Sequence, residues 1–250
     1  MQSNDFYQRL SDEFNLDNTP LLASAAMTFG IGYAQYYYAL RIQHREGSSP
    51  MPFWMHSFYL AHDSAWSYIL GSAASRYGGW FLKATSTALL VWSLLEIYCI
   101  YHAITKSREE TFSSLFGPRP SLAKVQAYAF FLQVAMYCVI FIGILLMGEG
   151  CFLQWACLTN VVIVMGPIHE YIRRGSRKGL SLGLCLVNIA CPIWTFAPFG
   201  MWAQVFPETF TQPVYYTAGF FLFLYSVWAF WIVWSYPPKK ASKENPAPIW

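Results

Sequence analysis

The sequence predicts an all-α polytopic membrane protein, one bundle of about seven transmembrane helices. Three observations carry that expectation. The apolar residues fall in blocks of about twenty, the length that crosses a hydrocarbon layer as a helix. Of 250 residues, 56% are hydrophobic and only 12% charged, about half the charged share of a soluble domain. The lysines and arginines also divide unequally between alternate connectors, as topology demands.

The spans read Leu21–Leu40, Pro52–Ser72, Ala84–Ile104, Val125–Met147, Phe152–Tyr171, Ser181–Gln204 and Val214–Tyr236. Gly148, Glu149 and Gly150 make the fourth connector a tight turn. Pro207 and Pro213 bracket the sixth, and Pro237 and Pro238 end the last helix, because proline cannot continue the hydrogen-bond ladder. The organisation is therefore a lumenal amino-terminal segment (1–20), a seven-helix membrane domain (21–236) and a cytoplasmic tail (237–250). No internal repeat is visible, which counts against a transporter, since many transporters are built from repeats.

Orientation follows from the basic residues. The side with the amino terminus and connectors two, four and six holds three of them: Arg9, Arg76 and Lys83. The other side holds thirteen, namely Arg41, Arg45, Lys106, Arg108, Arg119, Lys124, Arg173, Arg174, Arg177, Lys178, Lys239, Lys240 and Lys243, which completes the 16 Lys and Arg. Short cytoplasmic loops carry the positive excess, so the second side is read as cytoplasmic. The first twenty residues carry Asp5, Asp12, Glu13 and Asp17 and lack an apolar core, so the first span is expected to act as the targeting signal. The endoplasmic reticulum is the expected membrane.

Several function classes are excluded or weakened. A net charge of +3 is too small to argue for a nucleic-acid partner. No aspartate-rich run, phosphate-binding glycine loop or histidine box is present, so no metal or other cofactor is expected. The six cysteines nearly all lie in apolar blocks without ligand spacing, so reduced buried thiols are expected; nothing in the sequence supports a disulfide at Cys151. The basic loop from Arg173 to Ser181 reads as topogenic and in contact with lipid headgroups.

Ionisable groups inside spans are costly and mark candidate sites. Three carboxylates qualify: Asp63, Glu96 and Glu170. Asp63 and Glu96 fall near the midplane on antiparallel neighbours. Along the second span, His56, Tyr59, Asp63 and Trp66 share one face at 3.6 residues per turn, with His62 and Ser67 on its flanks. Two readings stay open, a buried polar cluster that locks helices together and a reactive site. Glu96 has Trp92 one turn before it and Cys99 about one turn after. Glu170 and His169 adjoin Arg173 and Arg174, which favours an interfacial salt bridge. The aromatic run of the seventh span, Trp228 included, occupies every face; an inward subset would suit a carbocation.

These residues resemble a family. Seven short-looped spans, an acid in span two beside Trp66 and the basic Gly-Ser loop are similar to the fungal membrane-bound terpene cyclases. The paxilline and pyripyropene type carries Asn-x-x-Trp-Glu in the second span; here Trp66 fits, but Asp63 stands at the Asn place and Ser67 at the Glu place. The stretch from Met51 to Trp66 resembles more closely the cyclases of ascochlorin and ascofuranone biosynthesis. That resemblance implies cyclisation of a terpenyl epoxide on an aromatic polyketide, without cofactor. The implied partners are an epoxidised prenyl phenol, membrane lipid, and an upstream epoxidase and prenyltransferase.

Opening an epoxide needs a proton donor, and burial in low dielectric disfavours a carboxylate ion, so a midplane carboxyl is placed to keep its proton. Asp63 is the expected donor, Glu96 its partner or alternative, and His56 or His62 the acceptor or tuner. Tyr59, Trp66, Trp92 and Trp228 are expected to line the substrate. Two alternatives remain: a sterol-isomerase-like enzyme, which would act on a sterol, and a small transporter or receptor, which would form no product.

The basic split generates a topological prediction. A reporter fused to the carboxyl terminus should be cytoplasmic and one fused to the amino terminus lumenal. Both termini on one face would refute the count of seven spans.

Overall fold

The structure, a computed structural model, describes residues 3–241 and 249–250, with side chains from Asp5 onward in the first stretch. Lys243, counted above with the cytoplasmic set, lies outside the described residues. All regular structure among the described residues is helical: α1 (Ser3–Glu13), α2 (Thr19–Glu46), α3 (Phe53–Tyr77), α4 (Trp80–Thr105), α5 (Arg108–Phe116), α6 (Leu122–Met147), α7 (Phe152–Arg174), α8 (Leu182–Phe196), α9 (Met201–Val205), α10 (Pro207–Phe210) and α11 (Pro213–Ser235).

Five stretches are long and apolar enough to cross a membrane: α4, α6, α7, α8 with α9, and α11. Several such helices in one chain mark a membrane-embedded protein. Seven had been expected. α2 and α3 are as long, with 28 and 25 residues, but do not join the five. Their polar side chains account for this. α2 buries Gln35 and Gln43, and α3 buries His56, Ser57, His62 and Asp63.

One local expectation changes, and two features are added. The expected unbroken sixth span, Ser181–Gln204, is interrupted: α8 stops at Phe196, Ala197 is extended (φ −77°, ψ 155°), and α9 begins at Met201. Pro198 causes the break, because the residue before a proline is driven out of the helical region. The third connector contains a short helix, α5, whose Phe112 is fully buried. The amino-terminal segment is helical over Ser3–Glu13. α1 places Phe6, Tyr7 and Leu10 on its buried side, with Phe14 just beyond it, an i, i+3/i+4 pattern that the acidic residues mask.

The chain divides into two units. The first comprises Met1–Asn18 and Phe53–Ala156. Its α3 and α4 are clasped by a reciprocal pair of bonds, Ser67 Oγ to the Ser86 carbonyl at 2.8 Å and Ser86 Oγ to the Ser67 carbonyl at 2.7 Å. α6 joins α3 through Ser64 and Tyr137 (2.8 Å) and through Gln133 Nε2, which donates to the Ser57 carbonyl at 3.0 Å. Gly148, at φ 87°, ends α6. Gly143 is required by α7, since a Cβ there would lie 2.2 Å from the Trp155 indole.

The two ends of this unit differ. At one, the Tyr7 hydroxyl donates to the Glu149 carbonyl at 2.8 Å, and Phe14 stacks on Phe81 with ring centroids 3.5 Å apart. α1 thus shares an end with the α3–α4 and α6–α7 connectors, the pairing that alternating helices require. At the other, Phe53, Ala103, Phe112, Val125 and Ala129 form a hydrophobic cluster.

The second unit comprises Thr19–Pro52 and Cys157–Trp250. Gln35 Nε2 of α2 donates to Asn188 Oδ1 of α8 at 2.9 Å, and Tyr215 of α11 packs on Phe196 with centroids 4.7 Å apart. One end is laced by charge. Arg174 donates to Ser48 Oγ at 2.8 Å, Gly179 N to Glu46 at 2.8 Å, and Lys239 pairs with Glu46. Arg177 closes α11 by donating to the carbonyls of Val233 and Trp234. The tail does not simply trail away: Ile249 is buried with Ile42 and Leu184.

α1 supplies the stability test. Phe14→Ala should remove about 3–5 kcal/mol of packing and speed protease cleavage within residues 1–18 of the detergent-solubilised protein. Unaltered protection would mean that α1 is held by other contacts.

Candidate functional site

α3 gathers the chemistry. It begins after Pro52, and it packs against α4 on one side and α6 on another, so residues spread over much of its circumference become buried. Tyr59, Asp63 and Trp66 are inside, together with His56 and His62. The shared face expected from periodicity is therefore internal.

Each acid meets a histidine. Glu96 Oε2 lies 2.6 Å from His56 Nδ1, a bond between α4 and α3 with both side chains out of contact with solvent. Asp63 Oδ1 lies 2.7 Å from Nδ1 of His62, its sequence neighbour. Adjacent residues on a helix diverge by about 100°, so periodicity alone sets His62 on the flank. Folding of the imidazole back onto the carboxyl makes the pair. Burial makes both pairs consequential, since removing one partner of a buried charged pair costs about 3–5 kcal/mol.

Cys99 lies one turn beyond Glu96, and ligand-type atoms of His56, Glu96 and Cys99 all fall within 4.8 Å of one another. Yet at 2.6 Å the His56 and Glu96 atoms are closer than the roughly 3.3 Å separating two ligands about 2.0 Å from a tetrahedral zinc. The spacing is that of a hydrogen bond.

Aromatic rings surround the Asp63–His62 pair. Trp155 of α7 lies 6.1 Å from the His62 ring, and Phe58 lies 6.4 Å from His62 and 6.3 Å from Trp155. Tyr59 meets Phe58 edge to face at 5.3 Å, and Trp66 packs on Phe152 at 5.4 Å. Several buried polar atoms here have no hydrogen-bond partner among the described residues: Ser57 Oγ, His62 Nε2, Trp66 Nε1, Gln133 Oε1 and Trp155 Nε1. Native interiors leave few such groups unmet.

Other expected residues fall elsewhere. Trp92 is half-buried on α4, one turn before Glu96. Trp228 belongs to the second unit, is 49% exposed and stacks on Tyr225, so it does not join the cluster in the first unit. Glu170 is held by Arg173 at 2.7 Å and by Arg174 at 3.1 Å, the expected ion pair. Trp155 was not singled out from sequence, and one tryptophan among 11 carries no signal by itself.

Comparison with family models, with curated proteins and with solved structures finds no match.

The pairing of Glu170 generates a prediction. Its carboxylate already accepts from two arginines, so Glu170→Gln should lower the unfolding temperature of the detergent-solubilised protein; an unchanged unfolding temperature would mean that other contacts hold this end of α7.

Proposed function

We propose that this chain is a membrane-bound terpene cyclase that protonates a terpenyl epoxide on a prenylated aromatic polyketide and cyclises the terpene chain. The observation that carries the reading is the buried Asp63–His62 pair, whose second ring nitrogen has no partner among the described residues and whose neighbours are aromatic. An acid held in a dry aromatic enclosure suits a reaction that must begin with a proton and then shelter a cation.

The reading takes seven spans, with α2 and α3 crossing beside the five apolar helices. Polar residues in them are tolerable because they face inward, as intramembrane polar groups do. It places the amino terminus in the lumen of the endoplasmic reticulum and the carboxyl terminus in the cytoplasm. Support comes from each unit separately: Arg174, Arg177 and Lys239 gather at one end of the second, and Lys106, Arg108 and Lys124 flank α5 in the first.

The chemistry follows from the pair. The proton that Asp63 and His62 hold passes to the epoxide oxygen, and the C–O bond breaks to leave a hydroxyl and a tertiary carbocation. The π face of a chain olefin attacks that cation, closing the ring and moving the charge along. Phe58, Tyr59, Trp66 and Trp155 offer faces to the travelling charge. A neighbouring C–H then gives its proton to a base, for which the His56–Glu96 pair is the group at hand. Proton gain and loss balance, so the reaction is an isomerisation and needs no other reagent. Binding of the epoxidised prenyl phenol from within the bilayer, after a prenyltransferase and an epoxidase have acted, completes the proposal.

Asp63→Asn tests it. The amide keeps the size and a hydrogen bond to His62 but removes the acid, so turnover of an epoxyfarnesyl phenol in microsomes should fall by about 10²–10⁴-fold, with insertion unchanged. Asp63→Glu should keep a fraction. Wild-type-like product from Asp63→Asn would sink the assignment and turn attention to Glu96.

A further inference from the structure

We infer that His62 Nε2 and Trp155 Nε1 form a two-pronged cradle for a single acceptor-only oxygen of the ligand, with Trp155 a binding residue in its own right. The inference rests on the reading above for the identity of that oxygen, a terpenyl epoxide, but its geometry stands apart from turnover.

Three observations carry it. Both nitrogens are buried, His62 at 2% and Trp155 at 6% exposure, and neither has a partner among the described residues. The rings are neighbours, with centroids 6.1 Å apart and planes at 56°. Finally, each ring is fixed from behind. His62 is tied through Nδ1 to Asp63 at 2.7 Å, and the Trp155 indole is seated on Gly143, where no Cβ could fit. Side chains held this way keep their N–H directions without the ligand.

An indole N–H only donates. In the tautomer whose Nδ1 accepts from the Asp63 carboxyl, the ring proton sits on Nε2, which then donates. An ether-type oxygen has two lone pairs and no proton, so it matches two donors and nothing else. During reaction the Nε2 proton moves to that oxygen and the C–O bond breaks. As it does, the Asp63 carboxyl proton passes to Nδ1, so Asp63 supplies the proton through His62. The new hydroxyl then keeps its bond from Trp155 and donates to the neutral Nε2.

Binding tests the cradle without turnover. The probes are a prenyl chain ended by a tetrahydrofuran ring, whose oxygen accepts but does not open, and the same chain ended by cyclopentane. Against the full chain in nanodiscs, wild type should bind the ether at least about tenfold more tightly, the range of two neutral hydrogen bonds. Trp155→Phe should lower that preference about fivefold or more and leave cyclopentyl affinity within about twofold. If Trp155→Phe fails to fold, benzothienylalanine at position 155 keeps the indole outline without its N–H and should behave alike. Equal affinity for both probes in wild type, no binding of either, or an undiminished preference in the N–H-free variants would overturn the cradle. An intact preference without any cyclised product would instead overturn the cyclase reading and leave the cradle standing.

Discussion

The inner side of α3 depends on one constraint, that a buried acid must have a partner. Asp63 and Glu96 have almost no access to solvent, and an isolated ion there would cost several kcal/mol. Each is met by an imidazole, Asp63 by His62 within α3 and Glu96 by His56 across to α4. The second pair joins α3 to α4 at a level that the Ser67–Ser86 clasp also fixes. Hydrogen bonds between membrane helices are worth only about 0.6 kcal/mol each on average. Their value here is in register: a slip of one residue would leave His56 and Glu96 apart, at the much larger cost of an unpaired buried charge.

The same constraint explains why α3 is less apolar than α4 and α6. Residues that would have faced lipid or filled a dry core are instead histidine, serine and aspartate turned inward. By contrast, α6 is the most apolar of the candidate spans and has only 6% of its best window buried. It contributes few contacts, and those few matter: Tyr137 and Gln133 reach α3, and Gly143 admits Trp155. A helix that faces outward over most of its surface thereby sets the position of an aromatic ring beside the Asp63–His62 pair.

The two units handle polar burial differently. In the second, Gln35 meets Asn188, Asn160 meets Thr195, and Glu170 meets two arginines. Those groups satisfy one another and read as structural. In the first, three ring nitrogens, His62 Nε2, Trp66 Nε1 and Trp155 Nε1, have no hydrogen-bond partner among the described residues. Buried donors cost about 1–3 kcal/mol apiece when unpaired.

Composition and apolar block length determined the all-α membrane class, because crossing hydrocarbon leaves a helix few sequences to choose from. Most helix ends were also legible, through Gly148 and the prolines around α10 and α11, whose backbone limits are local. The buried face of α3 followed from its 3.6 period, and the Glu170 ion pair from its spacing to Arg173 and Arg174. Pairing was not legible. Whether Asp63 met Glu96, His56 or His62 depended on the rotation of α4 against α3 and on one side-chain torsion, neither of which a linear pattern encodes. The burial of α1, the helix in the third connector, and the return of Ile249 to α2 and α8 likewise came from contacts distant in sequence. Trp155 became part of the site only because Gly143, on another helix, leaves room for its ring.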